Sequence, residues 1–358
     1  MKEIVIVAAG KIGATIAHLL AHSGDYRVTL IDRSEDQLRH VETGPALSTR
    51  ALDIADESAL VALLKGKFAV LSAAPFQLTV AIATAAGKAG VHYLDLTEDV
   101  ASTRKVKEIA ASAGTAFIPQ SGLAPGFISI VAHDLARRFD SVDTIRMRVG
   151  ALPQFPSNAL KYNLTWSTDG VINEYIQPCE AVVDGKLIEV PAMEGLETLA
   201  IDGVEYEAFN TSGGLGTLAE TLEGKVRTLD YRTMRYPGHN AAMKLLLQDL
   251  KLKDRRDLLK TVLEGALPIT MQDVVVIFVT VTGQQGGRLM QETYANKIYS
   301  AEVAGRLMSA IQITTATSAC VVLDLLATGA LAQKGFVRQE DITLDAFLSN
   351  RFGAHYRQ

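Results

Sequence analysis

The run Ile4-Val5-Ile6-Val7-Ala8-Ala9-Gly10-Lys11-Ile12-Gly13 constrains this chain more than any other segment. It leaves an apolar strand, passes a glycine-bearing turn and opens a helical pattern. A strand apolar on both faces needs cover on both, as in a parallel sheet flanked by helices. The alternation continues: strands are predicted at Ile4–Val7, Val28–Ile31, Ala51–Ile54, Ala69–Ser72, Tyr93–Leu96 and Ala116–Pro119. Helical periodicity falls between them at Ile12–His22, Glu57–Leu64, Leu78–Ala89 and Val100–Ala113. Strict alternation with right-handed crossovers predicts an α/β fold whose N-terminal domain is doubly wound.

Gly10 and Gly13 fill the second and third glycine places of G-x-G-x-x-G, with Ala8 in the first. The second place lets a pyrophosphate approach the backbone, and the third lets helix and strand pack closely. Ala8 departs from the glycine of the motif and weakens the turn unless that residue keeps φ below zero, where an alanine sits without strain. The free N–H groups at Lys11 and Ile12 and the helix dipole suit phosphate. Asp32 follows Gly13 by about 20 residues, the distance of a carboxylate that grips a ribose 2′-hydroxyl. That favours NAD; NADP is accommodated if Asp32 turns away and Arg33, otherwise a stacking partner for adenine, takes the 2′-phosphate. Asp53 after the third strand and Ala73, Ala74 and Pro75 after the fourth are expected along the adenine and ribose groove, because ligands sit at the carboxyl ends of such strands. Glycines alone fit any strand-to-helix turn. With Asp32 and six alternating strands, they predict a Rossmann dinucleotide-binding domain over residues 1–124.

Beyond Pro125 the pattern changes. Asp143–Val149 alternates, Ala181–Val190 reads as a hairpin turning at Asp184-Gly185, and Asp273–Thr282 turns through 283–287 into Arg288–Tyr299. With helices at Asn240–Leu250 and Arg255–Glu264, this predicts a second α/β domain with a largely antiparallel sheet over 125–312. A helical stretch at Ala304–Ala332 and a last helix near Leu344–Arg351 give a segment, 313–358, expected to pack back on the first domain. The 358 residues exceed one usual core, which fits two domains. A net charge of -5 argues against nucleic acid. Two cysteines cannot build a disulfide framework, and a strand beginning near Glu3 leaves no room for a leader, so a cytoplasmic setting without a membrane partner is expected. His18 and His22 have metal-compatible spacing but no third ligand, so no metal is expected. The hydroxyls of Thr314, Thr315, Thr317 and Ser318 are expected to satisfy themselves within a helix.

Three runs carry a resemblance: Gly90-Val91-His92-Tyr93-Leu94-Asp95-Leu96, Gly122-Leu123-Ala124-Pro125-Gly126 and Thr233-Met234-Arg235-Tyr236-Pro237-Gly238-His239. They make the whole chain similar to the saccharopine dehydrogenase-like family, and within it to the L-lysine 6-dehydrogenase branch. The resemblance implies a homodimer or larger oligomer that oxidises a carbon bearing an amine with NAD(P). For lysine, hydride leaves the ε-carbon, the imine hydrolyses to the 6-semialdehyde with loss of ammonia, and the product cyclises to piperideine-6-carboxylate. Two alternatives stand beside it: a saccharopine- or carboxynorspermidine-type reductase acting on a secondary amine, and a dinucleotide-binding protein without turnover.

The chemistry sets its own requirements. An amino-acid carboxylate calls for a guanidinium, whose fork matches it. Arg235 is the expected anchor, with Tyr236 adding a hydroxyl; a surface ion pair is the plain reading of Arg235. The amine must shed its proton before hydride leaves, so a base or a desolvated pocket is needed. His239 is a candidate base or water-orienting group, and equally a core or capping histidine. Asp95 is a candidate partner for the substrate amine, and equally a structural acceptor. Pro125 and Gly126 are expected against the nicotinamide, or as a plain hinge. Tyr162, Trp166, Ser167 and the loop Thr211-Ser212-Gly213-Gly214 suit a substrate pocket. Substrates with more carboxylates need more arginines, and Arg146, Arg148, Arg227 and Arg232 are available.

Overall fold

In the computed structural model, which describes residues Met1–Arg357, the N-terminal alternation is realised strand for strand. It runs β1 (Lys2–Val7), α1 (Lys11–His22), β2 (Tyr26–Asp32), α2 (Glu35–Arg39), β3 (Leu47–Ala51), α3 (Glu57–Leu64) and β4 (Ala69–Ser72). Then come α4 (Thr79–Ala89), β5 (His92–Asp95), α5 (Val100–Ala110) and β6 (Ala116–Ile118). The next stretch is α6 (Phe127–Ala136), β7 (Ser141–Pro153), α7 (Thr168–Ile176), β8 (Cys179–Val183), β9 (Lys186–Val190), β10 (Glu197–Ile201) and β11 (Val204–Asn210). It continues with α8 (Leu218–Leu222), β12 (Thr228–Arg235), α9 (His239–Lys244), α10 (Arg256–Ala266), β13 (Asp273–Gln285) and β14 (Arg288–Tyr299). The chain closes with β15 (Ala301–Val303), β16 (Arg306–Met308), α11 (Ala310–Ala327), β17 (Gly335–Phe336) and α12 (Leu344–Ser349). Two compact units result: Met1–Phe127 with Thr314–Arg357, and Ile128–Ile313.

The first unit is a seven-stranded sheet in the order β17-β6-β5-β4-β1-β2-β3. Every pairing in it is parallel. β1 is central; Ile4 to Val7 pair with Val28 to Ile31 on one side and Ala69 to Ser72 on the other. All four are buried without alternation, as helices on both faces require. The third strand lies earlier than its apolar run suggested. β3 ends at Ala51; the Leu52 N–H still donates to the Asp32 carbonyl at 2.9 Å, and Asp53 then accepts from the Ala55 N–H at 2.9 Å, a local side-chain turn that ends the pairing. β17 is a seventh strand that two residues were too short to announce.

The C-terminal segment of this unit is held by buried polar contacts. Asp324 accepts from Tyr26 Oη at 2.6 Å, Asn350 at 2.8 Å and Arg351 at 2.7 Å. Phe127, Phe347 and Tyr356 form one aromatic cluster. Gln339 donates to the Pro119 carbonyl and Ser121 Oγ, at 2.8 and 3.1 Å. Ser318 donates to the Gly122 carbonyl rather than within its own helix. Among the described residues, α11 alone is long and apolar enough to cross a membrane, and most of it is buried within the protein.

The second unit carries a sheet ordered β10-β11-β12-β7-β13-β14, with the β8–β9 hairpin joined to β12. The β12–β7 pair is parallel and the rest antiparallel, so the sheet is mixed. Residues of α7, α9 and α10 build a core with Tyr162, Phe209 and Leu247. Leu152, Tyr206, Met234, Val274 and Val276 form a separate cluster. Side chains alternate along β12, so Thr233 and Arg235 share one face while Asp230, Arg232 and Met234 share the other. Three expectations change here. The helix predicted from Ala304 begins at Ala310, after the β15–β16 hairpin whose short strands carry no helical signal. The helix predicted over Asn240–Leu250 gives way to a π-helical turn at Leu245–Asp249. Gly283 lies inside β13, where a Cβ would stand 2.2 Å from the Ser141 carbonyl oxygen, and the turn falls at Gly286-Gly287, both at positive φ.

Candidate functional site

The glycine loop of the first unit is shaped by three hydrogen bonds. Ala8 N–H donates to the Ile31 carbonyl at 2.8 Å; Ala9 N–H and Ser34 N–H donate to the two Asp32 carboxylate oxygens, each at 2.8 Å. Ala8 has φ of 81°, in the left-handed region, so the condition for an unstrained alanine is not met. Asp32, reaching back to the next amide, holds the loop in that conformation. Gly13 has no substitute: a Cβ there would stand 1.9 Å from the Ala8 oxygen. Gly10 is different, since a Cβ would meet nothing within 4 Å. The open space above it, the uncapped start of α1 and the absence of an acidic residue from its first turn fit a pyrophosphate. Lys11 and Arg33 are exposed and Ile12 is half-buried beside them.

The neighbouring strand ends carry the rest of the expected groove. Ala73 N–H donates to the Val7 carbonyl at 3.0 Å, Ala74 N–H to Ser72 Oγ at 3.4 Å, and Pro75 precedes the short turn Phe76–Leu78. Asp53 lies beyond β3, exposed, in its own turn. Pro125 and Gly126 are buried. Gly126 has φ of 131°, and a Cβ there would come 2.0 Å from the Gly122 oxygen, so only glycine fits.

Asp95 ends β5 and is committed to the fold. Its Oδ1 accepts from the Thr97 and Gln120 amides at 3.0 and 2.9 Å, and its Oδ2 from Tyr93 Oη at 2.8 Å. Burial pushes its carboxyl up to about 6 against these bonds. Three donors from the fold already hold both oxygens of this fully buried carboxyl, which favours the structural reading. Glu98, which the sequence gave no reason to single out, sits three residues on; burial and the charges of Asp99 and Asp95 push it up to about 7. It is the carboxyl at this strand end whose protonation changes near neutral pH.

In the second unit Arg235 is 2% exposed and rests against the rings of Tyr162 and Tyr175, 5.0 and 5.8 Å from their centres. Its Nε donates to Tyr175 Oη at 2.9 Å, and its Nη1 donates to Thr233 Oγ1 and the Met234 carbonyl, both at 2.8 Å. All three partners are neutral, and Nη2 makes no hydrogen bond among the described residues. Glu174 contributes negative charge nearby. Arg235 is therefore no surface ion pair. Tyr162, whose ring lies against Arg235, has Thr165 beside its hydroxyl, and among the described residues the hydroxyls of Thr165 and Thr211 are buried without a well-formed hydrogen bond, which is costly unless a ligand supplies one.

His239 is also buried. Its Nδ1 lies 2.8 Å from the Leu160 carbonyl and its Nε2 lies 3.0 Å from Tyr175 Oη. Both ring nitrogens are occupied, and burial beside Arg235 pushes the imidazole down to about 3. Tyr236 does not join this group. It projects to the other face, donates to the Pro153 carbonyl at 2.9 Å and stacks on Tyr206. Arg148 and Arg232 stand on that face too, bound to Glu197 at 2.5 and 3.2 Å. Arg146 lies near Glu197 and Asp230, and Arg227 is paired with Asp143. Sequence reasoning missed Tyr175, the centre of the Arg235 cluster. It lies on a helix 60 residues before Arg235, with no local cue linking the two.

A family model described as the saccharopine dehydrogenase NADP binding domain matches residues 4–118, and one described as the saccharopine dehydrogenase C-terminal domain matches residues 122–352. The mitochondrial alpha-aminoadipic semialdehyde synthase of Mus musculus is 21% identical over 254 residues, covering 68% of this chain but 27% of that protein. Saccharopine dehydrogenase [NADP(+), L-glutamate-forming] of Schizosaccharomyces pombe is 22% identical over 205 residues, 55% of this chain and 46% of the relative. The chain thus spans between about a quarter and a half of these relatives' lengths. The apo saccharopine dehydrogenase (L-Glu forming) from Saccharomyces cerevisiae shares the fold, with a TM-score of 0.76 over 95% of this chain and 94% of that one at 17% identity. The homospermidine synthase of Legionella pneumophila in complex with NAD superposes with a TM-score of 0.72 at 13% identity, covering 99% of this chain and 89% of that one. With both of its parts matched in order, the chain belongs to the saccharopine dehydrogenase family.

Proposed function

We propose that the protein is an NAD(P)-dependent dehydrogenase that oxidises an amino acid at its side-chain amine, with L-lysine as substrate and the 6-semialdehyde and ammonia as products. The dinucleotide, when bound at the Gly10 loop, supplies a hydride acceptor. The residues do the selecting. One observation carries the substrate class: Arg235 is a buried guanidinium with Nε and Nη1 tied to neutral groups and Nη2 left without a partner. A buried cation of this kind suits a single carboxylate. The extra arginines that a substrate rich in carboxylates would need are on the opposite face or already paired with Glu197, Asp230 and Asp143. This supports a one-carboxylate amino acid over saccharopine. The hydroxyls of Tyr162 and, beside it, Thr165 are proposed to contact the rest of the amino acid. A neutral amine is needed for hydride loss, and the apolar, ring-lined surroundings of Arg235 disfavour a second positive charge.

The anchor is tested with Arg235→Ala. Half-saturation for lysine is expected to rise at least about 30-fold, the loss of a charge-assisted pair. NADH affinity, measured by fluorescence, should stay within about twofold, because the loop that holds it is in the other unit. Collapse of NADH affinity with an unchanged lysine requirement would remove Arg235 from the substrate site.

A further inference from the structure

We propose that Tyr175 and His239 are positioning residues that fix the roll of the Arg235 guanidinium so that Nη2 faces the substrate carboxylate; this rests on Arg235 being the anchor. The directions of the hydrogen bonds are forced in turn. A backbone carbonyl only accepts, so the contact from His239 to Leu160 places the imidazole proton on Nδ1. Nε2 then carries the lone pair and accepts from Tyr175 Oη–H. With its own proton given to His239, the phenol oxygen presents its lone pairs to Arg235 Nε–H. Thr233 Oγ1 and the Met234 carbonyl hold Nη1 from the other side. A guanidinium is planar, so fixing Nε and Nη1 fixes the plane and the direction of Nη2.

The His239–Tyr175 pair stays neutral beside the arginine. A proton added to Nε2 would face both the phenol proton and the Arg235 charge, and burial of the ring opposes it further. Histidine in this place is an acceptor for a tyrosine and has no free lone pair for a substrate amine. Tyr175 is buried, and Phe209 stacks on the His239 ring at 6.4 Å, so neither ring has room to turn aside.

Two measurements test this. Nitrogen-15 NMR of the full chain should show His239 as the neutral Nδ1–H tautomer from pH 5 to 9; an Nε2–H tautomer or a titration in that range overturns the proposal. The second is a double-mutant cycle on half-saturation for lysine. Tyr175→Phe should raise it about tenfold, the value of one hydrogen bond to a charged group, with kcat within about threefold and NADH affinity unchanged. In an Arg235→Ala background the same substitution should add less than about twofold, since it acts through the arginine. His239→Leu should resemble Tyr175→Phe, and His239→Gln, which keeps an acceptor, should recover most of the loss. Fully additive effects, or loss of kcat at unchanged half-saturation in both histidine variants, overturn it. If Arg235→Ala alone leaves half-saturation unchanged, the anchor itself fails, an outcome separate from additivity.

Discussion

Gly10 and Gly13 stand three residues apart, yet the structure predicts opposite consequences for adding one methyl group to each. At Gly10 the backbone has φ of -66° and ψ of 179°, open to any residue, and a Cβ meets nothing within 4 Å. Gly10→Ala should leave the apoprotein unharmed, or stabilise it by about 0.4–1 kcal/mol through the reduced freedom of the unfolded chain. On the proposed placement of the cofactor, the methyl occupies the space where a pyrophosphate approaches. Displacing the phosphate from even one N–H donor costs roughly 1.5–3 kcal/mol, a 10- to 100-fold weaker Kd for NADH. At Gly13 the Cβ would lie 1.9 Å from the Ala8 oxygen, about 1.5 Å inside ordinary contact. That oxygen belongs to a loop pinned through Ala8 to Ile31 and through Ala9 to Asp32. Gly13→Ala should destabilise the fold by about 2 kcal/mol or more and also weaken binding. Urea unfolding of the apoprotein with NADH fluorescence titration separates the two. A Gly10→Ala variant that binds NADH normally, or that loses stability as Gly13→Ala does, would refute this account of the loop.

Three further outcomes follow from buried charges. On the proposed placement of the cofactor Asp32 lies where a 2′-phosphate would sit, so NADH should bind at least about tenfold more tightly than NADPH, and Asp32→Asn should narrow that ratio; calorimetric titration of both cofactors checks it. The Asp95 carboxyl is pushed up to about 6 from 3.8, so the folded state holds its proton more tightly than the unfolded chain. Its contribution therefore falls as pH rises from about 4 to 6, by roughly 3 kcal/mol in all; urea midpoints across that range should show the decline, and Asp95→Asn should flatten it. Asp324 holds Tyr26, Asn350 and Arg351, and Asp324→Ala strands Tyr26 and Asn350 while Arg351 keeps Asp25, so about 2–3 kcal/mol of stability should be lost in chemical unfolding.

The first unit was legible because periodicity and turn chemistry act locally. Unbroken apolar strands such as Ile4–Val7, the Gly13 position and Asp32 report their environment within about 20 residues. What stayed hidden depends on residues far apart in the chain. Ala8 adopts a left-handed φ because Asp32 bonds the next amide, a contact no local rule contains. The residues around Arg235 come from β12, α7, α9 and the loop bearing Tyr162, so the motif named Arg235 and His239 but not the tyrosine joining them. Their adjacency to Tyr236 in sequence was misleading, since strand alternation sends Tyr236 to the other face. Asp95 shows the limit of reading a carboxylate by position alone: three hydrogen-bond donors had already claimed it.

The most direct test of the whole account is a cofactor-resolved substrate screen. Purified protein is mixed with NAD or NADP and with lysine, ornithine or saccharopine, and reduced nicotinamide and ammonia are followed together. The proposed function, with Arg235 as a buried carboxylate anchor, predicts turnover of lysine with NAD and one ammonia released per reduced cofactor. Oxidation of saccharopine with no signal from lysine, or cofactor binding with no turnover of any amine, would contradict it.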